Sequence, residues 1–371
     1  MKASLKDIRV LKHSSSYLIF AGKRSGKDAV YKIAHQNGDK LLREVHRIKE
    51  LKATYPLLTH RLPDIVEQGR FESGVHQGKH YYVQSFFEGR TLSKYVQSCY
   101  SESETLISAF RQILKRLVDI VLGHSLTPAY DQGSGQFLKE AIFYEYERLQ
   151  LLANLQSFTQ LPEVLFNGER CDPLNTSLRR IFNKPAFQKL NESTSFISPL
   201  GHWNFHGDNL LLQDLSDPES FRIIDPDTNL DECDPLFSLA RFFYSFLHDT
   251  ADYDQYLINS QFFVPYANPV NKFAVKYTWP EIVHRNYAFL FNAIYTNHEI
   301  PLFKLDKRFR SKELSLRLRL NFLYCLLRGV NANYLDRIDF VDGWISEFRN
   351  KSLFLLLNAT HFAHRLAEET T

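Results

Sequence analysis

Between Asp7 and about Tyr95 the apolar positions recur mostly at every second residue, the period of a strand with one buried face. "DIRVLKH" and "SYLIFAG" bracket a serine run, Ser14, Ser15 and Ser16, and "DAVYKIA" alternates in the same way. "DIVEQGRFE" and "KHYYVQSFF" supply two further strands. One stretch breaks the period: "DKLLREVHRIKELK" repeats its apolar residues every three to four positions, as a helix does. The pattern predicts a small five-stranded sheet with one inserted helix.

From about Ser101 the period is helical, in "ETLISAFRQILKRLVDIVLGH", "QFLKEAIFYEYERLQLLANL", "EIVHRNYAFLFNAIY" and "LRLRLNFLYCLLRGVNANY". A short strand pair, "NLLLQ" and "SFRIID", interrupts these helices, joined by the turn-rich "DLSDPE". The expected architecture is α+β and two-lobed. Residues 1–87 form a small antiparallel-sheet lobe and residues 88–371 a larger, mostly helical one. "SFFEGRTLSKYV" runs from the end of a strand through a turn at Glu88 and Gly89 into a helix, and has the shape of a linker between lobes. "DQGSGQ", residues 131–136, reads as a flexible loop.

Composition agrees with a folded chain: 371 residues, 44% hydrophobic and 14% aromatic, are enough for two cores. The four cysteines, Cys99, Cys171, Cys233 and Cys325, have neither CxxC nor metal-ligand spacing, so a reducing cytoplasm is the expected location. No stretch approaches the roughly 18 apolar residues of a membrane span, and "MKASLKDIRVLKH" lacks the apolar core of a signal peptide. A net charge of +3 gives no ground for a nucleic-acid partner. The basic stretch "KLDKRFRSKELSLRLR" reads as a helix with a solvated basic face, or else as a docking surface for an acidic group.

Several residues carry candidate chemistry. Lys32, in "VYKIA", shares its side of the strand with Val30 and Ala34, so a charged group leaves an apolar face and needs an anion. Glu44 falls at helical spacing with Leu41, Ile48 and Leu51, on the buried side, and could supply that anion. "GKRSGKD" is one residue short of a P-loop, with Asp28 where a metal-binding hydroxyl is needed, and reads as a hairpin turn. The serine run is either a phosphate contact through its backbone N–H groups or a plain hairpin. Asp225 ends a β-branched strand before Pro226, and Asn209 begins the partner strand; together they offer hard oxygen ligands of the kind magnesium takes.

This order of a strand lysine, a helix glutamate, a linker with EGRTL, a His-x-x-x-x-x-x-Asn loop and a strand-end aspartate resembles the protein-kinase-like fold, and most closely the aminoglycoside phosphotransferase and choline kinase family. That family's loop reads HGDLHPGNIL, then IDW or IDP, then DPxxDLA; "IIDPD" and "CDPLFSLARFF" look like the last two. The resemblance spans residues 7–250 and implies an ATP- and Mg²⁺-dependent kinase acting on a hydroxyl of a small molecule. It implies that Lys32 holds phosphates, Glu44 orients Lys32, Ser85, Phe86 and Phe87 lie against adenine, and Asn209 and Asp225 bind the metal.

The loop itself, "GHWNFHGDNLLL", fits in two registers. In the first, His202, Asn204 and Asn209 take the places of the family's His, Asp and Asn, and an amide stands where a general base is expected. In the second, His206-Gly207-Asp208 is the family's HGD, and Gln213 becomes the metal ligand. Asp208 is the available carboxylate in either case. Ser238, where the family has Asp, and the glycine-poor first loop are further departures, and they keep open an alternative: a nucleotide-binding pseudokinase acting as an interaction module. The short passage from Asp225 to the next helix leaves no room for the long activation segment of a kinase acting on protein.

Overall fold

The computed structural model describes residues 9–13, 17–35, 38–98, 104–122, 127–128, 134–152, 159, 164–166, 169–192, 196–197, 205–226, 234, 236–248, 312–335 and 344–369. These fall into two compact units, one within Met1–Arg116 and His202–Asp231, the other within Leu117–Gly201 and Glu232–Thr371.

The first unit is built on the five-stranded sheet that the alternation predicts, antiparallel and in the order β1-β2-β3-β5-β4. Its strands are β1 (Arg9–His13), β2 (Tyr17–Arg24), β3 (Lys27–Ala34), β4 (Ile65–Arg70) and β5 (His80–Ser85). "GKRSGKD" is a two-residue hairpin with both central residues at positive φ, Ser25 at 52° and Gly26 at 81°. That mirror-image turn matches the twist of the strands it joins. The two edge strands carry register shifts, between Val10 and Lys12 and between Ile65 and Glu67. Such irregularities discourage further pairing at an exposed edge.

Helix α1 (Asp39–Thr54) lays Leu41, Val45, Ile48 and Leu51 inward, with Leu41 and Val45 against Tyr17, Ala34 and Tyr82 of the sheet. Pro56 ends it and opens the short α2 (Pro56–Thr59) at a position where its missing N–H costs nothing. The opposite sheet face is filled by Phe20, Tyr31, Ile33 and Val83, with Phe71 and Tyr81 packed on them. Then follow β6 (Arg90–Thr91), α3 (Leu92–Ser98) and α4 (Glu104–Leu122). The linker therefore contains a strand that the sequence pattern does not announce.

The second unit is mostly helical: α5 (Ser134–Gln150), α6 (Leu174–Phe182), α7 (Pro185–Glu192), α8 (Phe237–His248), α9 (Lys312–Leu335) and α10 (Trp344–Glu369). Small strand pairs join Thr127–Pro128 to Phe196–Ile197, and Val164–Phe166 to Glu169–Cys171. Helix α9 is central, packed on α5, α8 and α10. Gly329 gives the buried Tyr244 of α8 its room, because a Cβ there would overlap the phenol.

Three expectations change here. Residues 134–136 of "DQGSGQ" belong to α5 and not to a loop. Asn209 closes a 3₁₀ turn, Gly207–Asn209, just before its strand instead of beginning it. The basic segment is not a plain solvated face: residues 304–311 lie outside the described residues, and Arg317 is buried against Asp234 at 2.9 Å. Asp234 also accepts from the backbone N–H of Leu236 at 2.8 Å, an Asx turn just before α8. Ser238 is fully buried inside α8. The helix expected at residues 281–295 lies outside the described residues.

Candidate active site

Lys32 stands on the central strand β3, between Ile19 of β2 and Tyr82 of β5, on the sheet face that α1 covers. It is 4% exposed, and Glu44, one of the inward positions of α1, is 2% exposed. The lysine Nζ donates to both Glu44 carboxylate oxygens at 2.8 Å and to Asp225 Oδ1 at 2.5 Å. An ammonium has three protons, so all of its donors are engaged. Burial pushes the lysine pKa down, but the charges of Glu44 and Asp225 outweigh that and hold it above its ordinary value. Lys32 is therefore charged at neutral pH.

Two tyrosines complete the surroundings. Tyr82, directly across from Lys32 on β5, donates its hydroxyl to Glu44 Oε1 at 2.6 Å. Tyr17 on β2 turns its ring to the ammonium, 4.5 Å from Nζ to the centroid, at a distance suited to a cation–π contact. Burial raises both phenol pKa values, that of Tyr17 to about 12, so both remain neutral.

Asp225 reaches Lys32 from a second sheet, formed by β6, β7 (Leu210–Leu212) and β8 (Arg222–Ile223) in the order β8-β7-β6; β7 and β8 here denote this pair alone. The aspartate lies two residues past its strand at φ 54°, a left-handed conformation uncommon for a residue with a Cβ. Its backbone is pinned just upstream: the Ile223 N–H donates to the Arg61 carbonyl at 2.8 Å and the Ile224 N–H to the Asn209 carbonyl at 2.9 Å. Arg61 adds a guanidinium bond to the Glu219 carbonyl at 2.8 Å and stacks over Phe221 at 4.0 Å. The carboxylate of Asp225 is about half exposed, at 48%.

The strand pairing also bears on the two loop registers. Leu210 faces Ile223 and Leu211 faces Arg222, so the chain from Leu212 to Gln213 moves away from Asp225. Asn209 is the residue brought beside the Asp225 turn, whereas the Gln213 carbonyl accepts from the Tyr95 hydroxyl at 3.0 Å. Asp208, on the 3₁₀ turn, is half exposed; Thr91 donates to its Oδ1 at 3.4 Å and His206 Nδ1 lies 3.8 Å from Oδ2. Thr91 also caps α3, accepting from the Lys94 N–H at 3.3 Å. Gly89 is required where the linker crosses β7, because a Cβ would lie 2.6 Å from the Leu212 carbonyl oxygen.

Of the remaining expected site residues, Ser14, Ser15, Ser16, His202 and Asn204 lie outside the described residues. Ser85 has its N–H on the Asp64 carbonyl at 2.9 Å and its hydroxyl under the Asp64 N–H at 3.0 Å, so its polar groups serve the chain. Phe87 packs near Gly89, and the Arg222 guanidinium lies 5.4 Å from its ring. Phe86 is half-buried after the end of β5. Tyr17, Tyr82, Thr91 and Arg61 were not singled out from the sequence. The alternation of "KHYYVQSFF" places Tyr82 on one face, but which face meets Lys32 depends on pairing with a strand fifty positions away in the chain.

The donor set suits a magnesium nucleotide in kind. One ammonium against two carboxylates leaves a net negative charge, and the half-exposed Asp225 carboxylate, in a turn whose Ile224 N–H is bonded to the Asn209 carbonyl, offers a hard oxygen. Among the described residues no group of three or more His, Cys, Asp or Glu side chains could hold a metal ion alone. Magnesium commonly takes only one or two protein ligands and fills its octahedron with phosphate and water.

No protein-family model matches the sequence, and no curated protein matches it either. Among solved structures the chain is similar to a Ralstonia eutropha protein assigned as an aminoglycoside phosphotransferase, with 12% identity and a TM-score of 0.48 over 100% of this chain and 93% of that one. A thermostable mutant of aminoglycoside phosphotransferase APH(4)-Ia gives 13% identity and a TM-score of 0.46, covering 99% and 95%. Spectinomycin phosphotransferase APH(9)-Ia, in complex with ADP and spectinomycin, gives 12% identity and a TM-score of 0.42, covering 96% and 93%. Likeness at this level assigns no residue a role.

Proposed function

We propose that this chain binds ATP with magnesium and transfers the γ-phosphoryl group to a hydroxyl of a small molecule. The observation that carries the reading is Lys32, buried and charged, held by Glu44 and reached by Asp225, with Asn209 tied to the same turn. A charged lysine next to an exposed carboxylate supports a magnesium-nucleotide reading, in which the ammonium would meet a phosphate and the carboxylate the metal. In this reading residues 1–87 and 88–371 correspond to the nucleotide and acceptor lobes, and Ser14, Ser15, Ser16, Ser85, Phe86 and Phe87 line the nucleotide.

Asn209 and Asp225 would hold the magnesium, whose charge offsets that of the phosphates. The acceptor oxygen forms a bond to the γ-phosphorus, the bond to ADP breaks, and the hydroxyl proton passes to a base. Asp208 is assigned that role. It is a half-exposed carboxylate on the turn that ends at Asn209, and the strand pairing favours the register with His202, Asn204 and Asn209, in which Asn204 cannot accept the proton. His206, next to Asp208, bounds the same turn.

Calorimetry tests the nucleotide site: Mg-ATP binding is expected in the wild type and is expected to weaken in Asp225→Ala and in Asn209→Ala. Unchanged affinity in both variants would remove the metal site. The alternative, a nucleotide-binding interaction module, draws on Asn204. It would be favoured by Mg-ATP binding without turnover on pooled sugars, amino alcohols and aminoglycosides.

A further inference from the structure

Glu44 accepts from two different residues, and only one of them is the lysine. Tyr82 and Lys32 are opposite each other in the β3–β5 pair, so their side chains leave the sheet on the same face. Glu44 meets them there from α1. Its Oε1 takes the Tyr82 hydroxyl at 2.6 Å and the Lys32 ammonium at 2.8 Å, and its Oε2 takes the ammonium at 2.8 Å. All three residues are at most 4% exposed, so no water competes for these bonds. A carboxylate at the end of a Glu side chain can rotate about its last bond. Two donors fixed on opposing strands leave it one orientation, and that orientation fixes the ammonium.

The Asp225 contact of Lys32 differs in kind, because that carboxylate is half exposed and sits on a turn that follows a strand of another sheet. Of the three donors of Lys32, two are thus held in the buried node, and the third is the one available to a phosphate in its place. We propose that Tyr82 is a positioning residue for Lys32, acting through Glu44 to keep the third ammonium proton aimed out of the node. The nucleotide part of this proposal rests on the function given above; the orientation of Lys32 does not.

Tyr82→Phe removes the donor and keeps the ring. The first measurement needs no nucleotide: NMR of the lysine ammonium groups, with the Lys32 signal identified by its loss in Lys32→Arg. Hydrogen exchange at the Lys32 ammonium is expected to be slow in the wild type and about ten-fold faster in Tyr82→Phe, the effect of losing one strong bond to a charged group. Equal exchange in the two proteins, with melting temperatures unchanged, overturns the proposal. The second is Mg-ATP affinity in a double-mutant cycle. Tyr82→Phe is expected to weaken binding about five- to ten-fold when Glu44 is present and less than about two-fold in the Glu44→Ala background. An equal loss in both backgrounds would show that Tyr82 acts on the fold and not through Glu44, and would overturn the proposal. Absence of Mg-ATP binding in the wild type would sink the nucleotide reading instead, and the exchange measurement would still decide the role of Tyr82.

Discussion

Turnover is expected to depend on Asp208 more than on any other side chain of its loop. Asp208→Asn leaves the bond from Thr91 possible and removes the charge, so nucleotide affinity should stay close to wild type while turnover falls by about 10²- to 10⁴-fold, the range for a lost general base. Wild-type turnover in this variant would remove the assignment. Asn204→Asp should raise turnover if the loop register is set by Asn209, and steady-state rates on the same acceptor compare the two variants. Lys32 and Glu44 were legible because each breaks an apolar stripe with a charge, one at period two and the other at period three to four. Tyr82 and Thr91 were not. An aromatic residue in a strand and a threonine before a helix are ordinary in sequence, and their partners are set by pairings 38 and 117 residues away.

Between neighbouring strands and helices, two sites carry most of the risk. Gly89→Ala would force β6 away from Leu212, where a Cβ meets the carbonyl oxygen at 2.6 Å, and should cost about 1–3 kcal/mol in a urea melt. Arg317→Ala would leave the Asp234 carboxylate buried without its cation, and about 3–5 kcal/mol is expected. Arg319→Ala, by contrast, removes a partner of the more exposed Glu369 and should change stability by about 0–1 kcal/mol. Similar losses for both arginines would refute the distinction. The five strands and helices α1, α4, α5 and α9 were legible, since strong periodicity over many residues outweighs local ambiguity; α10, the longest helix among the described residues, was not. Strand β6 was not, because two residues carry no period, and its existence depends on β7 arriving beside it.

Across the second unit, helix α10 is fastened through histidines. His361 Nε2 lies 3.3 Å from Glu169 and His364 accepts the Asp172 N–H at 3.1 Å, with Arg365 also on Glu169 at 3.1 Å. Burial holds the His361 imidazole below its ordinary pKa, against the pull of Glu169. The unfolded chain therefore binds this proton at a higher pH than the folded one, so the associated stability is present above about pH 6.5 and is lost as the pH falls below it. The melting temperature should drop between pH 7.5 and 5.5, and by less in His361→Gln; equal drops would rule His361 out as the cause. The first unit has a different dependence on the whole chain. Lys32 and Glu44 are 12 residues apart, but Asp225 is 193 residues from Lys32, and the bond from Arg61 to Glu219 spans 158. During synthesis the sheet and α1 are complete long before the segment that finishes their unit exists. At about 5–20 residues per second, adding residues 117–201 takes on the order of ten seconds. For that interval the nascent chain presents the β6 strand edge and the Arg61 loop without their partners, a window in which binding by a chaperone would matter more than it does for the finished protein.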